Sequence, residues 1–226
     1  MSVTINNGDG TTSVVNPESN EAIDFKTGKE AVRAELLNSI VVHPDFPSPG
    51  VQFIDIFAML KQPYSTRLFT HLLLEMPDGA SKMISPESRG FLFAPFMAAS
   101  HPSSMDFIPV RKTCSPFPGP FDVIEVKNEY ASRQFLIPCD SVKEGEKVII
   151  FDDVLATGDT VKTIAEYVRF KGAEVLTVYT IIALTYLNGV KLLEDNNIPL
   201  KSLLDLSAQD IDNIIHTQNC FRELKD

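Results

Sequence analysis

The sequence predicts an α/β fold in which helices flank a central, mainly parallel β-sheet. Short apolar runs alternate along the chain with segments of helical periodicity, as in folds that join parallel strands through helices. The run Val148–Phe151 is apolar throughout, as expected of a strand buried on both faces of a sheet. The following residues, 160–171, place four apolar side chains on one helix face, and Gly172 is predicted to end that helix.

The remaining elements follow from the same patterns. Helices are predicted over 32–40, 65–76 and 91–99 from apolar residues at helical spacing, with a capping box at Thr27 and Glu30 before the first. Short apolar or alternating runs bounded by turn residues predict strands near 83–85, 105–110, 121–126, 134–137 and 174–184. Residues 1–27 are polar and are expected to be a flexible leader, and residues 28–226 are expected to form one domain.

Composition limits the classes of function that the chain can serve. Its 226 residues carry a net charge of −10, so we expect no nucleic-acid partner, and any phosphate must bind in a small site. The three cysteines have neither paired nor metal-ligand spacing, which favours free thiols in a reducing compartment. We expect no signal peptide and no membrane partner, and therefore a cytoplasmic protein.

The segment VIIFDDVLATGDTV, residues 148–161, concentrates groups that suit phosphate and sugar. An apolar strand ends in Asp152 and Asp153, and the loop 156–160 then enters a helix. Backbone N–H groups at a helix N-terminus bind phosphate, and Gly158 permits close approach to the backbone. Paired carboxylates one loop away suit sugar hydroxyls or the water shell of a magnesium ion. The alternative interpretation is an ordinary strand–turn–helix with a solvated carboxylate pair.

This layout resembles the signature with which type I phosphoribosyltransferases bind PRPP (5-phosphoribosyl 1-diphosphate). The resemblance implies that Asp152 and Asp153 hold the ribose and stabilise positive charge as it develops there. It assigns the 5-phosphate to the loop residues Ala156, Thr157, Gly158, Asp159 and Thr160. Adenine-type members usually have glycine where this chain has Asp159. We expect its carboxylate to face solvent while its backbone N–H serves the phosphate.

Two upstream segments narrow the resemblance to the adenine phosphoribosyltransferases. PDFPSPGVQFIDI, residues 44–56, resembles a small N-terminal hood over the base site, where backbone groups read the purine edge and a Phe stacks on the ring. The implied base-binding residues are Gln52, Phe53 and Ile54, the last in place of a frequent Arg. PESRGFLFAP, residues 86–95, is similar to the pyrophosphate loop. The implied pyrophosphate-binding residues there are Glu87, Ser88, Arg89 and Gly90.

Downstream, residues 109–120 resemble a basic loop that meets the pyrophosphate, which implies roles for Arg111 and Lys112. The family often has a further lysine where this chain has Ser115, so the leaving group is expected to be less neutralised. The pair Glu129 and Tyr130 resembles the family's Glu-Tyr pair. Glu129 is implied to handle the proton of the purine ring nitrogen, and Tyr130 to lie in a flexible loop that closes over the site.

The resemblance implies transfer of the 5-phosphoribosyl group from PRPP to adenine, giving AMP and pyrophosphate in purine salvage. It also implies a Mg2+ cofactor held mainly by PRPP and water, with no direct protein ligand expected, and a homodimer with the basic loop near the subunit interface. Two alternatives remain open. One is a related phosphoribosyltransferase for another 6-substituted purine, and the other is a catalytically weak paralogue that binds PRPP or purines.

Overall fold

The computed structural model of the protein describes residues 3–6, 12–15, 22–23, 34, 36–61, 76–114, 118–127 and 132–223. The strands are β1 Val3–Asn6, β2 Thr12–Val15, β3 Ala22–Ile23, β4 Val41–His43, β5 Phe53–Asp55, β6 Lys82–Pro86, β7 Asp106–Lys112, β8 Phe121–Lys127, β9 Ser132–Pro138, β10 Lys147–Leu155, β11 Glu174–Leu184 and β12 Leu200–Leu206. The helices are α1 Ile56–Leu60, a 3-10 helix over Arg89–Leu92, α2 Ala94–Ser100, α3 Asp159–Phe170, α4 Gly189–Asp195 and α5 Ala208–Glu223.

The large sheet has seven strands in the order β12-β11-β10-β6-β7-β9-β8. The five strands from β12 to β7 pair in parallel, whereas β9 pairs antiparallel with both β7 and β8. The predicted fold class, a mainly parallel sheet flanked by helices, is therefore confirmed. β10 pairs in parallel on both of its sides, which explains why its sequence is an unbroken apolar run.

Two apolar cores cover the two faces of this sheet. One contains Phe151 and Tyr179 from the sheet together with buried residues of α2 and α5. The other contains Ile150 and Val178 together with the buried face of α3, whose four predicted apolar residues all lie in it. A layer of helices on each face is the arrangement that a parallel sheet requires, because crossover helices must bury both faces.

Two small sheets lie outside the large one. β4 and β5 pair antiparallel and form the hood that the sequence predicted before the first sheet strand. β1, β2 and β3 form a three-stranded antiparallel sheet within residues 1–27, where the sequence had predicted a leader without regular structure.

Helix predictions were met in part. α3 begins and ends within one residue of its predicted bounds, and Gly172 follows it at φ +77°. The helix predicted over 91–99 is instead a 3-10 helix followed by α2, and Pro95 lies at the start of α2. The helix predicted over 65–76 and the capping box at Thr27 fall outside the described residues. Within the described ranges, no helix is both long enough and apolar enough to cross a membrane.

Candidate active site

A cavity of about 670 Å³ opens at the carboxyl end of β10. β6, β7 and β10 run in parallel and so end at this edge, and β9 begins there because it runs antiparallel to β7. The polar side chains that line the cavity come from these strand ends, from the 3-10 helix and from the first turn of α3: Glu87, Ser88, Arg89, Lys112, Arg133, Asp152, Asp153 and Thr160. Phe57 of α1 lines it as well.

Asp152 is held by two donors. Ser88 Oγ lies 2.8 Å from Asp152 Oδ1, and the backbone N–H of Asp153 donates to the same oxygen at 2.9 Å. Burial, and then the neighbouring charge of Asp153, raise the pKa of Asp152 well above its ordinary value of 3.8. The carboxyl end of β10 therefore carries one group that accepts a proton more readily than a solvated aspartate does.

Asp153 is only 3% exposed and is compensated by Arg89. Arg89 Nε lies 2.8 Å from Asp153 Oδ2, although the oxygen has no aligned hydrogen bond. Arg89 Nη1 also donates to the carbonyl of Ile54 at 2.5 Å, and the guanidinium lies 4.6 Å from the centre of the Phe53 ring. One arginine thus joins the hood to the carboxylate pair.

The turn before the 3-10 helix is fixed by its own side chains. Ser88 Oγ accepts a hydrogen bond from the backbone N–H of Gly90 at 3.0 Å, which caps the helix. A Cβ on Gly90 would lie 3.2 Å from the backbone nitrogen of Asp153, so only glycine allows this approach to β10 without a shift. Glu87 Oε2 lies 3.0 Å from Arg111 Nε and accepts from the backbone N–H of Lys112 at 2.9 Å.

The loop 156–160 reaches α3 through Gly158, which has φ +83°. No side chain caps the N-terminus of α3, which leaves N–H groups of its first turn available for an anion. Thr160 lines the cavity, and Asp159 is half-buried, so the predicted exposure of its carboxylate is not met in full.

Gly189, which was not among the predicted site residues, packs against this loop through its backbone. Gly189, the first residue of α4, donates its backbone N–H to the carbonyl of Ala156 at 3.0 Å. A Cβ on Gly189 would lie 2.3 Å from that carbonyl oxygen, and a Cβ on Gly158 would lie 3.0 Å from the Cα of Gly189. The two backbones therefore touch, and only glycine fits at both positions.

The structure brings together seven of the predicted site residues at the cavity wall: Glu87, Ser88, Arg89, Lys112, Asp152, Asp153 and Thr160. Phe53 and Ile54 are linked to it through Arg89, and the side chain of Ile54 is buried in the core at 2% exposure. Gln52 is half-buried, and its Oε1 atom has no hydrogen-bond partner. Glu129, Tyr130 and Ser115 lie outside the described residues.

Sequence reasoning missed several residues of this site, among them Phe57, Arg133 and Gly189. Phe57 follows the predicted hood segment directly, and Arg133 directly precedes the strand predicted over 134–137. Both therefore stood next to predicted features. Gly189 contacts the carbonyl of Ala156, which lies 33 residues earlier, and no local pattern in the sequence indicates such a contact.

Comparison with known proteins agrees with this geometry. The family described as the phosphoribosyl transferase domain matches residues 66–206. An adenine phosphoribosyltransferase of Thermosipho africanus is 40% identical over 164 residues, which cover 69% of this chain and 91% of that protein. The fold and the site are those of the phosphoribosyltransferase class.

Solved structures point to one member of that class. The adenine phosphoribosyltransferase of Rhodothermus marinus is 33% identical with a TM-score of 0.69, and the match covers 80% of this chain and 99% of that one. The enzyme of Saccharomyces cerevisiae, solved with adenine and an imino-altritol bisphosphate, is 31% identical with a TM-score of 0.67, over 77% of this chain and 99% of that one. The chain therefore belongs to the adenine phosphoribosyltransferase family.

Replacing Asp152 by Asn is expected to stabilise the fold at neutral pH. Because the pKa of Asp152 is raised in the folded state, the folded protein binds a proton that the unfolded chain has released. Stability therefore falls as the pH rises from 3.8 towards the folded pKa, and this loss persists above it. Asn keeps an oxygen for Ser88 Oγ and the Asp153 N–H. Urea unfolding at pH 7.5 should show a higher midpoint for Asp152→Asn.

The control for that experiment is Glu194→Gln, which neutralises an exposed carboxylate on α4 and should change the free energy of unfolding by less than about 0.5 kcal/mol. A lower midpoint for Asp152→Asn would show that ionised Asp152 stabilises the fold, contrary to the burial argument. We expect wild type and Asp152→Asn to have equal urea midpoints at pH 4, and Asp152→Asn to have the higher midpoint at pH 7.5.

Gly189→Ala is expected to destabilise the protein by about 1–3 kcal/mol, since the new methyl group would overlap the Ala156 carbonyl oxygen. The sign of the change in the free energy of unfolding is informative, because replacing Gly by Ala at an open helical position would stabilise the protein by about 0.5–1 kcal/mol. Urea unfolding measures the difference, and Asn188→Ala is the control, since the Asn188 side chain makes no capping hydrogen bond. Unchanged or increased stability would show that the loop 156–160 shifts at little cost to make room for the methyl group.

Proposed function

We propose that this chain transfers the 5-phosphoribosyl group of PRPP to adenine, forming AMP and releasing pyrophosphate. The observation that carries the proposal is one cavity in which a buried carboxylate pair, an uncapped helix N-terminus and several cations meet. The family to which the chain belongs and the names of its relatives support the same reaction.

In this reaction a bond forms between a purine ring nitrogen and the anomeric carbon of the ribose. The bond from that carbon to the diphosphate oxygen breaks, and the base loses a proton. Positive charge grows on the ribose as the diphosphate leaves, so the site must position two substrates and stabilise opposite charges. No nucleophilic side chain is needed.

The loop 156–160 and the first turn of α3 would hold the 5-phosphate through backbone N–H groups and the Thr160 hydroxyl. Asp152 and Asp153 would then face the ribose, one loop away at the end of β10. Their carboxylates would bind its hydroxyls and stabilise the developing cation. The pKa of Asp152 is raised in the free protein, and positive charge developing on the ribose would favour its ionised form.

Magnesium fits the same place. Within the described residues, no group of three or more His, Cys, Asp or Glu side chains could enclose a metal ion, but three carboxylates line the cavity, and Asp153 Oδ2 is a buried oxygen without an aligned donor. As predicted from the sequence, PRPP oxygens and water would supply most of the ligands of Mg2+, and the cavity carboxylates would accept hydrogen bonds from that water. When bound there, the ion would neutralise charge on the leaving diphosphate.

The purine would lie against the hood. Phe53 offers an aromatic ring next to Arg89, and Phe57 adds an apolar surface at the cavity wall. Glu129 would manage the proton of the ring nitrogen as a general acid or base, and Tyr130 would lie in the closing loop. The position of Glu129 between β8 and β9, four residues before the cavity residue Arg133, is compatible with that role.

The first test is to incubate the protein with magnesium, PRPP and each of adenine, hypoxanthine, guanine and xanthine, and to measure the nucleotide formed. AMP from adenine alone is expected. Product from a different base would overturn the choice of adenine but keep the reaction. No product from folded protein that binds PRPP would favour a binding paralogue.

Asp153→Asn is expected to lower turnover by about 10²-fold or more, because charge stabilisation at the ribose is lost. Glu129→Ala should lower it as well, through loss of the general acid or base. Steady-state AMP formation measures both, with circular dichroism as the check on folding. Glu194→Gln is the matched control and should retain activity. Normal turnover in folded Asp153→Asn would contradict the assignment.

A homodimer and a cytoplasmic location remain predictions, and one surface feature supports the dimer. Phe57, Leu92 and Phe96 are 41%, 58% and 51% exposed, and they lie on α1, the 3-10 helix and α2. Large exposed apolar side chains on neighbouring elements mark interaction sites. We propose that a second copy of the chain covers this face, next to the cavity that Phe57 lines.

Leu92→Asp is therefore expected to shift the protein from dimer to monomer in analytical ultracentrifugation, since a buried unpaired charge is costly at an interface. Phe170→Asp is the control, because Phe170 is 84% exposed and lies on α3, which packs on the other core from α2. A wild-type monomer, or a Leu92→Asp dimer of unchanged affinity, would show that these residues do not form the interface.

A further inference from the structure

Arg133, near the start of β9, is a cation of the cavity wall. Three cations line the cavity, Arg89, Lys112 and Arg133, against three carboxylates. A leaving diphosphate brings several further negative charges into this space. Which cations can meet it depends on the acceptors that already hold them.

The two arginines that the sequence analysis assigned to pyrophosphate are both engaged by the protein. Arg89 contacts Asp153 through Nε and the Ile54 carbonyl through Nη1. Arg111 contacts Glu87 through Nε. Their charges are largely offset by these carboxylates, so they contribute less to the neutralisation of a diphosphate than their number suggests.

Lys112 and Arg133 differ from them in this respect. Among the cavity-lining cations that the structure describes, only these two have side chains with no acceptor in hydrogen-bond or ion-pair contact. Both are exposed at the cavity mouth. A cation without a protein acceptor is the group that an anionic ligand can engage without first breaking an ion pair.

The strand register brings these two cations together. Lys112 of β7 stands opposite Phe135 of β9, and Arg133 lies two residues from Phe135 on the same face. Diagonal neighbours of this kind lie about 7–8 Å apart, within reach of long side chains. Two like charges at that distance repel each other until an anion lies between them.

We propose that Arg133, together with Lys112, binds the pyrophosphate portion of PRPP and the pyrophosphate product. The inference rests on the proposed function and adds a residue to it. The guanidinium of arginine matches phosphate oxygens in a bidentate manner, which suits it to this ligand. Arg133 thereby supplies, from β9, positive charge that Ser115 does not supply from the preceding loop.

The test compares Arg133→Gln with wild type by titrating inorganic pyrophosphate, with MgCl2 present, into the protein in a calorimeter. Loss of a charge-assisted contact should weaken binding by about tenfold or more. In steady-state assays, KM for PRPP and the inhibition constant for pyrophosphate should rise together, while KM for adenine stays within twofold. Arg133→Lys should recover part of the loss.

Lys191→Gln on α4 is the matched control, because it removes one exposed positive charge that does not line the cavity. An equal loss of pyrophosphate affinity in Lys191→Gln and Arg133→Gln would overturn the proposal by assigning the effect to net charge. Unchanged pyrophosphate affinity in Arg133→Gln would overturn it directly.

The proposed reaction and the proposed anion site can be refuted separately. A wild type that makes no nucleotide but binds pyrophosphate in an Arg133-dependent manner would refute the proposed reaction and keep the anion site. Normal AMP synthesis with unchanged pyrophosphate inhibition in Arg133→Gln would refute the anion site and keep the reaction.

Discussion

The interaction on which this site depends is the contact between Arg89 and Asp153 at the end of β10. Two adjacent carboxylates in a place that excludes water would repel each other and destabilise the strand end. Arg89 offsets one of them, and Ser88 with a backbone N–H holds the other. Because Arg89 also binds the Ile54 carbonyl, the same interaction fixes where the hood stands.

Close backbone contacts make this arrangement rigid. Gly90 brings the 3-10 helix against the backbone of Asp153, and Gly189 brings the start of α4 against the carbonyl of Ala156. The end of β10 and the loop that follows it are thus each held by a main-chain contact rather than by side chains that change rotamer. A site that works by electrostatic stabilisation benefits from such pre-positioning, since its dipoles need not reorganise during reaction.

Local patterns in the sequence were sufficient for the elements that carry the phosphate loop. A stretch of about a dozen residues is enough to predict the apolar run of β10, the helical face of α3 and the turn at Gly158. Contacts across the sheet could not be predicted in this way. The partner of Arg89 lies 64 residues further along the chain, and Arg133 reaches the cavity only because β9 pairs with β7. Pro95 divided a predicted helix, because proline favours the first turn of a new helix.

Two departures from the family pattern have different structural consequences. At position 54 the side chain of Ile54 lies in the apolar core, and only its carbonyl faces the site, where it accepts from Arg89. An isoleucine there costs the site no polar contact, and base recognition through the backbone is compatible with it. Ser115 removes a charge, and a charge can be replaced only by another cation that reaches the same space. The register of β7 and β9 brings Arg133 to the cavity wall beside Lys112, so a neighbouring strand offers the ligand a cation that position 115 does not offer.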